Sequence, residues 1–396
     1  MNQRQLFLQH VAQTSDAPLA LEIVGAKGVF LYDVHGKEYI DLISGISVCN
    51  IGHSNQQVID AIKLQVDSYM HLMVYGELIE SPQVNYATNI TSHLPASLNS
   101  VYFTSSGTEA TEGAMKLAKR VTGRTNMLAF KDSYHGSTQG ALSVMGSEYW
   151  RNAFRPLLPG IIHADYNHDD VFKLLDEDIA CVILEPIQAE KGVNLPSKEW
   201  IIKLRTICSE KGILLIFDEI QTGFGRTGKL FAFEHYDTVP DIILLGKALG
   251  GGMPLGAFIA NRELMKAFTL DPVLGHITTF GGHPVCCAAG NAAFEFLLQN
   301  NLIETVHIRQ QQFRDALVHP LIKAFRAAGL LMTIEFESWD TNKKIIDACL
   351  ERGVFTDWFL FAPHCLRLAP PLIISEGEVK KACEIILSAC DEVFKK

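Results

Sequence analysis

Ile213-Leu214-Leu215-Ile216-Phe217-Asp218-Glu219-Ile220-Gln221-Thr222-Gly223 sets five consecutive apolar residues directly before two carboxylates. A run of that length without polar alternation reads as a strand buried on both faces, the habit of a mostly parallel sheet covered by helices. Its surroundings agree. Val101-Tyr102-Phe103, Met127-Leu128-Ala129-Phe130, Ala180-Cys181-Val182-Ile183-Leu184, Ile242-Ile243-Leu244-Leu245 and Ala257-Phe258-Ile259-Ala260 are short and equally apolar. Between the first two, residues 109–121 put Ala110, Ala114, Leu117, Ala118 and Val121 on one face at helical spacing. Strands alternating with helices predict an α/β fold, a three-layer αβα large domain around a mostly parallel sheet.

Past residue 290 the texture changes. Residues 302–328 and 376–394 read as long charged helices with short strands between them, which predicts a second, smaller α+β domain. Residues 28–40, with Gly36 inside them, read as strand, turn and strand, and the first fifty residues are expected to pack beside that domain. The expected division is residues 50–290 for the large domain and residues 1–49 with 291–396 for the small one.

The 396 residues carry 34 Lys+Arg against 44 Asp+Glu, and the resulting 34 − 44 = −10 disfavours a nucleic-acid groove. With 48% hydrophobic and 20% charged residues, the chain has the material for a large core. No apolar run approaches the roughly 18 residues of a spanning helix, and the start of the chain has no signal-peptide pattern. A cytoplasmic protein without membrane partners is expected. The nine cysteines are odd in number, form no C-x-x-C pair and include the adjacent Cys286 and Cys287, so free thiols and a reducing compartment are expected.

Three features fall where open α/β sheets place ligands, just past the carboxyl ends of strands. Ser105-Ser106-Gly107-Thr108-Glu109 lies between a strand and a helix, where free N–H groups and the helix dipole make a phosphate seat. The same residues also have the S-x-x-E spacing of a capping box, which satisfies a helix start without any ligand. Asp218 ends the 213–217 strand, where a carboxylate needs a cation or a strong donor beside it; a protonated ring nitrogen or an arginine would serve. Lys247 follows the 242–245 strand and Gly246; it is either a desolvated, nucleophilic amine or a snorkelling surface lysine.

Other motifs are weaker. Gly223-Phe224-Gly225-Arg226-Thr227-Gly228-Lys229-Leu230 matches G-x-G-x-x-G and nearly a P-loop, but Leu230 replaces the magnesium-binding hydroxyl, and Asp237 follows the last glycine too closely to be a ribose partner. A loop is expected there. The 14 histidines contain no H-E-x-x-H; His163 and His168 read as surface or loop residues, and no metal site is expected. No G-x-S-x-G elbow is present.

Taken in order, Ser106-Gly107-Thr108-Glu109-Ala110, Tyr134-His135-Gly136, Glu185-Pro186-Ile187-Gln188-Ala189-Glu190, residues 218–228, Lys247, Thr278-Thr279-Phe280-Gly281-Gly282-His283-Pro284 and Arg367-Leu368-Ala369-Pro370-Pro371 closely resemble the class III aminotransferases. Seven separated motifs across nearly the whole chain are far more specific than any one of them. The resemblance implies a fold type I pyridoxal 5'-phosphate enzyme, a homodimer with shared active sites, and a cofactor-binding large domain. It implies that Ser106, Gly107 and Thr108 receive the cofactor phosphate, and that Thr278 and Thr279 belong to the cofactor site, Thr279 reaching the phosphate of the partner subunit's cofactor. Tyr134 would stack on the ring, and His135 and Glu185 would stand beside it. Asp218 would pair with the ring nitrogen, Gln221 would bond the phenolic oxygen, and Lys247 would hold the cofactor covalently and move the substrate proton.

Arg367 resembles the arginine that grips the α-carboxylate of glutamate and 2-oxoglutarate, and Glu190 its acidic gate. The implied reaction moves an amino group from an ω-amino or terminal-amine donor to 2-oxoglutarate. Another reaction of the same cofactor (decarboxylation, elimination or an aminomutase shift) and a nicotinamide-dependent oxidation are the alternatives. Within the class, the length, the amino terminus and Gly45-Ile46 look most like the acetylornithine and ornithine branch. Ser137 stands where that branch usually has an arginine for the donor's distant carboxylate, and Ile46 where ornithine enzymes carry a tyrosine. His283 replaces the usual asparagine.

Overall fold

The computed structural model describes residues 2–395. At its centre lies a seven-stranded sheet in the order Ser100–Thr104, Gly256–Ala260, Ile242–Leu245, Leu214–Asp218, Ile179–Leu184, Asn126–Phe130, Ile161–Ala164. Gly256–Ala260 is antiparallel to both neighbours; every other pairing in the sheet is parallel. The six expected strands are all present. Ile161–Ala164 carries no continuous apolar signature because it is a four-residue edge strand with three half-buried positions, one of them His163.

Strand pleating explains why these runs carry no polar residue. Leu128, Phe130, Val182, Leu184, Leu215, Phe217, Ile243 and Leu245 join one core, whereas Met127, Ala129, Cys181, Ile183, Ile216, Ile242 and Leu244 join another on the opposite face. Successive side chains point to opposite sides, so a sheet sandwiched between helices needs apolar residues at every position. On one side packs the helix Gly107–Thr122, through Ala110, Ala114, Leu117 and Ala118; Val121 in its last turn is 36% exposed. On the other, Trp200, Ile201 and Leu204 of Lys198–Lys211 and Phe294 and Leu297 of Pro284–Gln299 complete the third layer.

Two four-stranded sheets flank this core. Ile23–Lys27, Phe30–Asp33 and Glu38–Asp41 form an antiparallel meander, and Val354–Phe355 adds to it in parallel, so the first fifty residues lie against the carboxyl-terminal part. The other sheet, in the order Ala324–Ala328, Leu331–Glu335, Ala362–Leu368, Trp358–Phe359, presents Arg367 near the end of its longest strand. The expected helix over residues 302–328 is corrected here: it stops at Ala316, and Ala324–Ala328 is a strand paired with Leu331–Glu335. Pro320 cannot continue a helix, and the Ala-rich segment that follows takes the conformation its neighbour's ladder dictates rather than the one its propensity favours. The 376–394 helix is found as Glu376–Phe394, with a capping box of Ser375 and Glu378.

Arg226 explains the glycine-rich loop. Fully buried, it donates to Ser44 Oγ, Asn50 Oδ1 and the carbonyls of Leu330 and Pro370, and so ties the amino-terminal and carboxyl-terminal parts to the central sheet. Gly225 and Gly228, both at φ +84°, let the turn around it close. No helix opens at these glycines, which removes the basis for a dinucleotide site. All nine cysteines are free, eight of them buried. No helix among the described residues is long and apolar enough to cross a membrane.

Candidate active site

Parallel strands bring their carboxyl ends to one edge of a sheet, and here that edge carries the chemistry. Asp218 ends Leu214–Asp218, Lys247 follows Ile242–Leu245, Glu185 follows Ile179–Leu184, and Gly107 and Thr108 open the helix after Ser100–Thr104. The loop after Asn126–Phe130 supplies Tyr134, His135, Gly136 and Ser137. With Gln221, Ile220 and Thr222, these residues wall a cavity of about 290 Å³. A hollow of about 330 Å³ at the far end of the same helix, lined by Lys116, Lys119, Arg120 and Phe268, contains no carboxylate and none of these groups. Volume does not single out the site; the convergence of titratable side chains marks the 290 Å³ cavity.

Lys247 sits at φ +47°, a left-handed conformation that a lysine adopts only when its surroundings impose it. Burial drives its amine down to about 8, against the opposing pull of Glu190, Asp218 and Glu185. Nζ donates to Gln221 Oε1 at 2.6 Å. The snorkelling alternative is therefore excluded. Asp218 is 4% exposed; its Oδ2 accepts from His135 Nδ1 at 2.7 Å and its Oδ1 from the Ile220 N–H at 3.0 Å. Glu185, raised to about 7 by burial, accepts from the N–H groups of Tyr134 and Ala189 at 3.0 and 3.1 Å and so anchors the loop that carries the aromatic ring.

Arg367 and Glu190 lie 177 positions apart and meet in a two-pronged pair, Nη1 to Oε1 at 2.9 Å and Nη2 to Oε2 at 3.0 Å, with both side chains at most 5% exposed. Their charges act on Lys247. Burial would raise the Glu190 carboxyl, but Arg367 and the Leu360 N–H hold it below the usual carboxylate range. Asp357 takes Arg367 Nε at 2.8 Å, and burial lifts its own pKa to about 6. Phe359 packs under the guanidinium at 4.5 Å. Nothing in the sequence marked Asp357: it sits between two-residue strands, without a motif.

Other expected site residues stand outside the cavity wall. Ser106 turns its hydroxyl to the Glu109 N–H as the helix cap, while Glu109 reaches the Ser105 N–H, one residue short of a reciprocal capping box. Thr278 accepts from the Gly281 N–H, Thr279 is exposed, and Ile46 is 38% exposed at φ +60°. His163, expected on a loop or the surface, is half-buried on a strand, where its ring meets Arg151 and the Met145 carbonyl and is depressed to about 4 by burial and Arg151. A trio the sequence reading lacked, Glu335, His364 and Cys365, clusters within 4.8 Å, but the Arg326 guanidinium already donates to Glu335 and to Cys365 Sγ and takes the place of a cation.

The cavity fits pyridoxal phosphate. Gln221 Nε2 and His135 Nε2 are buried without a protein partner, and the N–H groups at the start of the Gly107–Thr122 helix have no intrahelical acceptor. A flat ring bearing a phenolic oxygen, a basic nitrogen and a phosphate matches this set of a donor, a buried carboxylate and a helix start.

Comparison with known proteins agrees. The family model described as Aminotransferase class-III matches residues 11–390. The acetylornithine aminotransferase of Methanopyrus kandleri is 39% identical over 378 residues, covering 94% of each chain, and that of Bacillus subtilis 38% over 369 residues, covering 91% of this chain and 93% of its own. The ornithine aminotransferase of Toxoplasma gondii, solved with pyridoxal phosphate at partial occupancy in its active site, superposes with a TM-score of 0.90 at 30% identity, covering 99% of this chain and 94% of that one. By family model, relatives and fold alike, this chain belongs to the class III aminotransferases and is a pyridoxal-phosphate enzyme that transfers amino groups.

Proposed function

We propose that the protein moves the amino group of an ω-amino or terminal-amine donor, of the acetylornithine or ornithine kind, to 2-oxoglutarate, and that it works as a homodimer. The observation that carries this reading is the buried Glu190–Arg367 pair beside Lys247. An arginine locked by an internal carboxylate repels no donor that lacks a carboxylate at that place. Once Glu190 swings aside, the same fork is free for the carboxylate of a 2-oxo acid. One pocket thus serves two unlike substrates in alternate half-reactions. The names of the relatives support the donor class.

When bound, pyridoxal phosphate supplies an electron sink for negative charge at the substrate carbon. In this reading Gly107 and Thr108 hold its phosphate, and Tyr134 covers one face of its ring. Asp218 keeps a proton on the ring nitrogen and, through His135, is itself held in place. Gln221 turns its free Nε2 to the phenolic oxygen. Lys247 carries the cofactor and later takes a proton from the substrate carbon and returns it, a task suited to an amine that burial has brought to about 8. Thr278 and Thr279 do not line this cavity; in this reading both belong to the cofactor site, and Thr279 reaches the cofactor phosphate of the partner subunit. Residues 50–290 form the cofactor-binding domain, with residues 1–49 and 291–396 as the small domain that brings Arg367.

A panel of amine donors at fixed 2-oxoglutarate tests the reading. Stoichiometric glutamate from ω-amines is expected, with Ser137→Arg improving donors that carry a distant carboxylate; amine loss without matching glutamate would point to another reaction of the cofactor. Removing the gate gives a second result. In Glu190→Gln the hold on Arg367 weakens, and the glutamate half-reaction should gain about tenfold on the ω-amine half-reaction, the scale of one charge-assisted hydrogen bond. Single-turnover rates for the two donors check the ratio, and an unchanged ratio means that Glu190 is no gate.

A further inference from the structure

The first turns of the Gly107–Thr122 helix touch the cofactor loop through three side chains. Thr108, Thr111 and Glu112, at spacings of three and four, share one helix face. Thr111 Oγ1 donates to the His135 carbonyl at 2.9 Å. Glu112 Oε1 accepts from Thr138 Oγ1 at 2.5 Å and from the N–H groups of Gly140 and Ala141 at 2.8 and 3.2 Å. Thr108 Oγ1 lies 2.8 Å from Thr138 Oγ1 and accepts from the Thr138 N–H at 3.3 Å.

The direction of this chain follows from its end. A carboxylate accepts only, so the Thr138 hydroxyl hydrogen points at Glu112. The contact between the two hydroxyls is then donated by Thr108. Its hydrogen is committed to Thr138, its oxygen is already bonded to a backbone N–H, and the rotamer is fixed from both sides. Two glycines keep the parts this close: a Cβ on Gly136 would stand 2.3 Å from Thr108 Oγ1, and one on Gly140 would stand 2.1 Å from Glu112 Oε2. Glu112 itself does not line the cavity.

We propose that Glu112 is a positioning residue for the cofactor phosphate: through Thr138 and Thr108 it holds the helix start, where the phosphate sits, against the loop that carries Tyr134 and His135, where the ring sits. The inference rests on the proposed seat at Gly107 and Thr108. Phosphate and ring are a fixed length apart in the cofactor, so a seat held at the matching separation binds both together, and a loosened one gives up the phosphate contribution.

Titrating the apo protein separately with pyridoxal phosphate, with pyridoxal and with inorganic phosphate tests this. In Glu112→Gln and Thr138→Val, the Kd for pyridoxal phosphate should rise about tenfold. Inorganic phosphate should weaken in proportion, and pyridoxal, which lacks the phosphate, should bind within about twofold of wild type. Thr138→Ser, which keeps the hydroxyl, should restore wild-type affinity. Wild-type affinity in Glu112→Gln overturns the inference, and so does an equal loss of pyridoxal and pyridoxal phosphate with a fallen Tm, which describes a general structural prop. A crystal of the wild-type holoenzyme separates the two levels: phosphate found away from Gly107 and Thr108 overturns the seat itself, whereas phosphate found there with unaltered affinity in Glu112→Gln overturns only the role of Glu112.

Discussion

Lys247→Ala should lower turnover by at least about 10³ and leave a protein in which borohydride fixes no cofactor. The expected size follows from the two tasks proposed for one amine, attachment of the cofactor and movement of the substrate proton, neither of which a neighbour can take over. Gln221, the nearest polar partner, has no basic atom, and the carboxylates of Asp218, Glu185 and Glu190 are engaged by His135, by backbone N–H groups and by Arg367. The fold should survive, because a buried amine depressed to about 8 is a poorly solvated cation whose removal relieves the core of a charge.

The same depression gives the pH dependence its sign. An amine with a lowered pKa is neutral above that value and protonated below it, so the rate at which the apo protein takes up the cofactor into borohydride-fixable form rises with pH and levels off above about 8. At pH 7 roughly one amine in ten is neutral, against fewer than one in a thousand for an ordinary lysine. Full turnover in the alanine variant, or uptake that still climbs towards pH 10, would remove Lys247 from the mechanism.

Asp218→Asn is the second large effect, with kcat/KM lower by about 10² to 10³. The substitution keeps the shape and takes away the charge. The buried carboxylate is held from two sides, by His135 Nδ1 and by the Ile220 N–H, so it stays aimed into the cavity where the ring nitrogen is to be kept protonated. An amide in its place cannot compensate a charged ring nitrogen, and the electron sink weakens accordingly. Steady-state kinetics with saturating cofactor separate this loss from one of affinity. A variant within about threefold of wild type would show that the ring nitrogen is held elsewhere.

Much of this was legible locally. The apolar runs announced the sheet because burial on both faces leaves no polar position free, and Asp218 and Lys247 stood out because each directly follows such a run. Arg226 drew notice as part of a false dinucleotide motif, and only its four acceptors, drawn from residues 44, 50, 330 and 370, reveal a structural tie.

By itself the sequence determined the layered α/β core, the order of the motifs and the family, since these rest on hydrophobic period and on residues adjacent along the chain. The tertiary structure decided the rest: that Ala324–Ala328 is a strand, that His135 holds Asp218, that Glu190 and Asp357 close on Arg367, and that Glu112 accepts from Thr138. Those outcomes depend on neighbours that lie from a few to more than a hundred residues away along the chain. A short segment's conformation and a buried charge's partner are set by the neighbours that packing brings, and no local pattern records them.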